Sequence, residues 1–490
     1  MEGSSRFLLP IVALGMRRHT KIIATLGPAV ASLEAVSALV AAGMDVARLN
    51  FSHGAPGTHR RFAEWVRAAS AEHRREVALL QDIRGPKIRL GAFPGGSRNL
   101  ETGATVRLVP GDTEAREGEV AIDYAPLLEE VGEGDQVNLA DGRVRLVITA
   151  TGEGHLVAEV VESGEVTDRA GVSLPASALS VPVVTNKDLE DLEFGRELEV
   201  DYVAASFVRN GEDLRRVSEH AGEGVPVIAK IELAAAYANL DEILTEAAGI
   251  MVARGDLGVE LPLERIPLVQ QDILTRTNAA GLVSITATEM LESMVHASRP
   301  TRAEVTDVAT AVLAETDAVM LSAETAIGDH PVRAVQAMAR ICLAAEERVD
   351  WSHHAHPALF EREPSFASAL ADAAVETAHH LGLATIVAFT ETGNTARLVS
   401  KYRPAANIVA FSPNDRTRHR MALYWAVDAR PFGRLADTDA MIASAEAYLL
   451  ENGLCSSGDD VVMLAGIPPN QQASTNLLKL HRIGAVAKGA

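Results

Sequence analysis

Eight short β-rich runs, each ending in polar residues and most followed by an Ala-rich helical stretch, constrain this chain more than any other feature. They fall at residues 21–27, 45–50, 77–82, 201–207, 225–232, 250–256, 283–288 and 318–324. Amphipathic segments such as 32–42 and 301–315 lie between them. Strands separated by helices pair in parallel, because the helix carries the chain back to the edge where the strand began. Eight such units predict a (β/α)8 TIM barrel, whose chemistry gathers at the C-terminal ends of the strands.

The polar residues at those ends come two apart: Arg48 with Asn50, Lys230 with Glu232, Arg254 with Asp256, Thr286 with Thr288, and Ser322 with Glu324. Along a strand, residues i and i+2 share a face. The five pairs are therefore expected to aim charges and hydroxyls into one volume. An ion pair that merely closes the barrel top would explain any one of them. It explains all five together poorly, because buried charge is costly unless compensated or used.

The rhythm breaks between Asp82 and Asp201. Residues 90–181 have no helical period; turn signals such as Gly132-Glu133-Gly134-Asp135 and Asp141-Gly142 separate short alternating runs at 136–139, 144–148 and 156–161. This predicts a small all-β domain, a β-barrel inserted as a lid over the strand ends. Beyond the barrel, the His- and Pro-rich stretch 351–364 reads as a linker. Residues 365–490 return to alternation, with helices at 369–381 and 395–402 and strands at 385–389, 407–411 and 461–464. The expected organisation is a disordered extension at 1–16, a barrel built from 17–89 and 182–350, the lid at 90–181, and a C-terminal α/β regulatory domain at 365–490.

The formal net charge of −21 repels nucleic acid and anionic membranes, so neither is expected as a partner, and any anionic substrate requires local positive charge. The two cysteines, Cys342 and Cys455, make neither a metal pattern nor a disulfide framework, which fits a reducing cytoplasm. No apolar run has the length of a membrane span. The apolar stretch 7–15 is followed, not preceded, by its basic cluster (Arg17, Arg18, Lys21), which speaks against a signal peptide. Residues 1–16 are read as a disordered extension or as a start placed too early, with Met16 the natural one.

Several motifs carry a resemblance. Ala47-Arg48-Leu49-Asn50-Phe51-Ser52-His53-Gly54 resembles a signature of pyruvate kinases. So do Gly85-Pro86-Lys87-Ile88-Arg89, Lys230-Ile231-Glu232, Met251-Val252-Ala253-Arg254-Gly255-Asp256-Leu257-Gly258, Met290-Leu291-Glu292-Ser293-Met294, Pro300-Thr301-Arg302-Ala303-Glu304 and Met320-Leu321-Ser322-Ala323-Glu324-Thr325-Ala326. All fall in the family's order, with its domain insertion between the second and third. The resemblance implies transfer of the phosphoryl group of phosphoenolpyruvate to ADP, giving pyruvate and ATP, with Mg²⁺ (or Mn²⁺) as cofactor. It also implies a homotetramer.

The residues suit that chemistry. Phosphoryl transfer is mostly positioning and neutralisation of charge. Glu232 and Asp256 offer hard oxygen ligands for Mg²⁺. Lys230 can neutralise the group in transit and the enolate oxygen left behind. Arg48 supplies a bidentate clamp for phosphoryl oxygens. Backbone N–H groups around Gly255 and Asp256, beside the Thr288 hydroxyl, can hold the substrate carboxylate. Thr288, Ser322 and Glu324 are candidate members of the relay that protonates the enol carbon, with the immediate donor left open. For ADP the resemblance points to Thr25, Asn50, His53 and Lys187, with Arg48 shared.

Potassium-dependent family members carry Glu where this chain has Lys87; others carry Lys and do not need the ion. The resemblance therefore implies independence of K⁺, with the Lys87 ammonium replacing it. Asn50, Ser52, Asp82 and Ile83 match the family's monovalent site, which can persist. After Glu232 the family's usual Asn-x-x-Gly is replaced by Leu233-Ala234-Ala235-Ala236, and Glu289 and Ala323 replace a usual Gln and Gly. In the C-terminal domain, Thr390, Thr392, Asn394 and Thr395 resemble the family's effector loop for sugar phosphates. Glu391 brings negative charge beside it, and the later loop Gly466-Ile467-Pro468-Pro469-Asn470 carries little positive charge. The expected effector is a monophosphate or none.

Three other readings were weighed. An aldolase or mutase acting on similar substrates would share the carboxylate pair but lack residues 48–54, Lys187 and the β-domain. A silent homologue that only binds nucleotide or protein should have lost Lys230, Glu232, Asp256 or Thr288, all of which are present. The motifs of a protein kinase are missing from the sequence.

Overall fold

The protein is described here from a computed structural model covering residues 17–174, 180–349, 365–435, 437–467 and 474–484. The expected extension 1–16, the linker 351–364 and the Pro468-Pro469-Asn470 portion of the later C-terminal loop lie outside the described residues.

Eight strands close into a parallel barrel: β1 (Lys21–Thr25), β2 (Val46–Asn50), β3 (Ala78–Asp82), β4 (Tyr202–Ala205), β5 (Val227–Ile231), β6 (Gly249–Ala253), β7 (Val283–Ala287) and β8 (Ala318–Leu321). β1 pairs with β2 on one side and β8 on the other, which completes the ring. The strands are dominated by Val, Ile, Leu and Ala because both faces are covered, by helices outside and by the barrel interior within. Every strand residue is buried except Arg48 and Asn50, which reach the mouth at the C-terminal end of β2.

The strands end earlier than the two-apart pattern requires. β6 stops at Ala253, so Arg254 and Asp256 open the helix Arg254–Glu260. β8 stops at Leu321, and Ser322 precedes the helical turn Ala323–Ala326 that carries Glu324. Thr288, just past β7, has φ +65°. Strand alternation thus governs Arg48 with Asn50 and Lys230 with Glu232, one residue past β5, while helix starts and a left-handed residue place Asp256, Ser322, Glu324 and Thr288.

The inserted segment has its own apolar core. Six strands pair in the order Val172–Ser173, Gln136–Leu139, Val144–Gly152, His155–Glu162, Thr105–Pro110 and Glu119–Ile122. The two outer strands do not pair with each other. The incoming chain stitches the edges through single bridges, Arg89 to Gly171 and Leu90 to Ile122.

The C-terminal sheet runs Val427–Pro431, Asn407–Ser412, Thr385–Phe389, Asp460–Ala465 and Leu477–Arg482, the last antiparallel. Its two outer strands were not expected from sequence. Charges and a proline interrupt their apolar pattern, as edge strands tolerate. Ala422 and Leu423 from this unit pack into the cluster that fills the barrel interior and so plug its N-terminal end. Among the described residues no helix is long and apolar enough to cross a membrane.

A buried ion cluster fastens the two units. Asp317, just before β8, accepts from Arg403 Nη1 at 2.7 Å and from the Ser284 backbone N–H at 2.7 Å, and it also pairs with Lys401. Burial pushes the Lys401 ammonium down to about 8, with Arg403 adding to the effect and Asp317 opposing it. Removing the acid strands two buried cations. Asp317→Asn is expected to destabilise the chain by about 3–5 kcal/mol, measured by urea unfolding. Asp460→Asn, which breaks an exposed pair with Arg482, should leave the midpoint almost unmoved.

Candidate active site

At the mouth of the barrel, four charged side chains from neighbouring strands form one line. Arg48 donates through Nε to Asp82 Oδ2 at 2.7 Å and through Nη1 to Thr25 Oγ1 at 2.9 Å. Lys230 Nζ lies 3.2 Å from Asp82 Oδ1 and 2.7 Å from Glu232 Oε1, and it donates to Ser206 Oγ at 2.7 Å. Glu232 Oε2 accepts the Phe207 backbone N–H at 2.8 Å. Two cations and two anions balance, which is what lets the group stay buried.

Burial pulls the Lys230 pKa down, but Asp82 and Glu232 outweigh it and the pKa rises, so the ammonium persists. Burial would raise Asp82, yet Lys230 and Arg48 pull it below the usual carboxylate range. Glu232 is different: burial, reinforced by nearby Asp256, pushes it up to about 7 against the pull of Lys230.

Ser206 is a member that the two-apart spacing passes over, because no polar residue two positions away marks it. Its hydroxyl donates to the Ile83 carbonyl at 2.8 Å and receives Lys230. The only sequence signal is its place just past the C-terminal end of β4.

The turn after β6 is held firmly. Thr288 Oγ1 accepts the Gly255 N–H at 2.8 Å and donates to the Ala287 carbonyl at 2.7 Å. Arg254 turns outward from the expected volume: Nη1 meets both oxygens of Asp307 at 2.7 and 2.6 Å, and Nη2 donates to the Thr288 carbonyl at 2.6 Å. Thr286 is likewise engaged elsewhere, with Thr316 Oγ1 at 3.1 Å. Both were expected to point into the shared volume; the structure gives them anchoring roles, because their partners sit beside and below the turn.

Glu324 is buried and spends its oxygens on backbone N–H groups, Leu291 at 3.0 Å and Ser322 at 2.7 Å. The buried Ser322 hydroxyl has no hydrogen-bond partner among the described residues. It is therefore available to a proton or a water, whereas the Glu324 carboxylate is committed to shaping the loop.

Of the nucleotide candidates, Thr25 sits in the line through Arg48 and donates to the Leu321 carbonyl at 2.8 Å. Asn50 Oδ1 accepts the Ser52 N–H at 3.1 Å and shapes the following turn, which leaves His53 exposed. Lys187, half exposed, opens the helix Asn186–Glu197 and pairs with Asp191 one turn on.

The Lys87 ammonium, the expected stand-in for K⁺, pairs with carboxylates other than Asp82. The cations on Asp82 are Arg48 and Lys230. Lys87 instead follows the tight turn at Gly85, whose φ is +68°, into the cleft between barrel and insert. There Nζ is 3.1 Å from Asp141 Oδ1 of the insert and 3.7 Å from Asp256 Oδ1. Glu232, Asp256 and Glu260 line the same cleft. Glu232 and Asp256, hard oxygen donors, suit a divalent ion of the Mg²⁺ class.

In the C-terminal unit, Thr390, Thr392, Asn394 and Thr395 line a separate cleft with Phe389, Phe411 and Phe432. Thr390 Oγ1 accepts the Gly393 N–H at 2.9 Å, Asn394 accepts from Arg397 at 2.9 Å, and Thr395 shares a hydrogen bond of 2.7 Å with Thr475. Thr392 is exposed. Glu391, expected to repel anions, is paired with Arg434 at 3.0 Å.

Comparison with known proteins decides the family. Residues 17–335 match the description "Pyruvate kinase, barrel domain" and residues 368–481 match "Pyruvate kinase, alpha/beta domain". This chain belongs to the pyruvate kinase family. A pyruvate kinase of Mycobacterium tuberculosis is 42% identical over 472 residues, 96% of this chain and 99% of the relative. One from Geobacillus stearothermophilus is 39% identical over 481 residues, 97% of this chain and 82% of the relative. Among solved structures, a pyruvate kinase from Cryptosporidium parvum superposes with TM-score 0.89 at 36% identity, covering 95% of this chain and 96% of that one. The chain is a phosphotransferase that moves the phosphoryl group of phosphoenolpyruvate to ADP. None of these relatives supports a silent homologue. The family generally needs a divalent metal.

The raised Glu232 carboxyl gives the site a measurable pH dependence. Burial favours a proton on Glu232, and an ion held by that carboxylate would have to expel it, so affinity is expected to fall as pH drops. Mn²⁺ titration followed by electron paramagnetic resonance should show binding about tenfold weaker at pH 6 than at pH 8. A flat profile would mean that Glu232 is already ionised.

Proposed function

We propose that Lys230 and Arg48 together hold and neutralise the phosphoryl group of phosphoenolpyruvate at the mouth of this barrel. The observation that carries the reading is the convergence of both cations on Asp82, with Glu232 beside Lys230. The reaction breaks the bond between phosphorus and the enolate oxygen, forms one to the terminal oxygen of ADP, and delivers a proton to the enolate carbon. Lys230 faces the phosphoryl oxygens and the enolate oxygen as charge grows on them. Arg48 orients the group. Thr288, with Gly255 and Asp256 of the adjoining turn, takes the substrate carboxylate. Ser322 belongs to the proton relay with Thr288, and Glu324 sets its loop. Thr25, Asn50, His53 and Lys187 receive the nucleotide.

Glu232 and Asp256 are the residues that would hold Mg²⁺ or Mn²⁺. Bound there, the ion supplies positive charge to the phosphoryl and enolate oxygens. Lys87 supplies a fixed ammonium beside Asp256, which supports activity without K⁺. Asn50, Ser52, Asp82 and Ile83 form any residual monovalent site. The Thr390–Thr395 loop is the candidate effector site, for a monophosphate if any. The working enzyme is a cytoplasmic homotetramer.

The test is pyruvate release from phosphoenolpyruvate and ADP with Mg²⁺, in buffers with and without K⁺. ADP-dependent turnover of similar size is expected in both, and Lys230→Ala should lose about 10²–10³-fold in kcat. Folding of the variant is checked by circular dichroism. Strict K⁺ activation would sink the monovalent-ion reading, and turnover unchanged in Lys230→Ala would remove that lysine from the chemistry.

A further inference from the structure

We propose that Glu260 is a positioning residue that ties the seating of the inserted β-domain to the orientation of Asp256, so that the divalent-ion site is complete only with the insert in place. The inference rests on the assignment of Glu232 and Asp256 as the ion's ligands.

The helix Arg254–Glu260 is only 7 residues long and is held at both ends by different parts of the molecule. Its first turn belongs to the barrel: Arg254 is clamped on Asp307, and the Gly255 N–H on Thr288. Its last turn belongs to the insert. Asn138 Nδ2 donates to the Val259 carbonyl at 2.8 Å, and the Asn138 amide is itself oriented by Gln136 at 2.7 Å. The Ser173 hydroxyl donates to Glu260 Oε1. The other oxygen, Oε2, accepts the Ala234 N–H at 3.5 Å, two residues past Glu232. One carboxylate therefore touches the insert and the segment that leaves catalytic strand β5, and it rides on the helix that carries Asp256.

Asp256 and Glu260 are four residues apart, so both face the same side of that helix and line the same cleft. A helix this short turns as a unit. Losing the insert's grip on its last turn tilts Asp256 relative to Glu232, whose own backbone is fixed in the barrel wall. Lys87 reports the same seating, since it bridges Asp141 of the insert and Asp256. The helix Ala234–Ala238 begins at Ala234, whose N–H is thereby presented to Glu260.

The test uses the full chain and Mn²⁺ as probe, read by electron paramagnetic resonance without substrate, for wild type, Ser173→Ala, Glu260→Gln and the double variant. Ser173 is no metal ligand, so weaker Mn²⁺ binding in Ser173→Ala reports position and not a lost donor. Ser173→Ala and Glu260→Gln should each weaken Mn²⁺ binding by about tenfold, as losses around a metal site do. The double variant should be no weaker than the worse single, because both cut one link. Arg107→Ala, which breaks a surface pair with Glu119 on the insert, should leave binding unchanged. Binding in Ser173→Ala equal to wild type, or fully additive losses in the double variant, would overturn the proposal. Wild-type turnover measured alongside separates this failure from that of the ligand assignment: an active wild type with unmoved Mn²⁺ binding discards Glu260 alone, whereas a wild type that binds no Mn²⁺ discards the ligands themselves.

Discussion

Asp82 is the point on which the mouth of this barrel turns. A single carboxylate at the end of β3 accepts Arg48 from β2 and Lys230 from β5, and almost no water reaches it. Without it, two cations would face each other across a dry gap. With it, they stand side by side, neutralised just enough to remain charged. The neighbouring strands must keep their register to bring these groups together, and the parallel ladder does so: Asn50 lies opposite Asp82, and Leu80 joins Arg48 to Tyr202 across β3.

The opposite end of the barrel uses the same chemistry for attachment. Asp45, Asp201 and Asp317 each precede a strand and each accepts a backbone N–H of the strand beside it, from Ile22, Leu79 and Ser284 at 2.8, 2.7 and 2.7 Å. Each then gathers basic side chains: Arg18 and Arg75 on Asp45, Arg67 and the His419 ring on Asp201, Lys401 and Arg403 on Asp317. Two of these three acids thereby reach the C-terminal unit, and Lys21 adds a third tie to the Val427 carbonyl at 2.7 Å. Buried charge contributes little net stability but is costly to mismatch. It therefore fixes one docking of the C-terminal unit more sharply than apolar contact would.

The barrel was legible because its signal repeats. Eight buried strands leave eight short apolar runs, and the helices between them mark the repeat. The mouth was legible in identity more than in geometry. Arg48, Lys230 and Glu232 sit together as strand alternation requires. Arg254 does not join them because β6 ends at Ala253 and the chain turns into a helix there, and Thr286, within β7, is engaged by Thr316 instead. Ser206 had no partner to mark it. Glu260 and Ser173 could not be read as a pair, since 87 residues and a domain boundary separate them. The destination of Lys87 was equally hidden. It depends on where Asp141 comes to rest once the insert folds, and local sequence carries no record of that.

The chain's net negative charge and its anionic substrates are reconciled by how the site's cations are held. Arg48, Lys230, Lys87 and Lys187 each have a protein carboxylate as partner: Asp82, Asp82 with Glu232, Asp141 with Asp256, and Asp191. At these four positions an anion that enters meets cations it must share or win. Two of those carboxylates, Glu232 and Asp256, are also the oxygen donors suited to a divalent ion. A carboxylate drawn to such an ion is a carboxylate that loosens its hold on a lysine. With an ion held there, Lys230 and Lys87 would face the cleft with more of their charge uncompensated. Asp82 is not one of those two divalent-ion donors, and it pairs with both Arg48 and Lys230. The same carboxylates that make the protein acidic overall thus render its positive charge conditional, available at the barrel mouth when a counter-ion releases it.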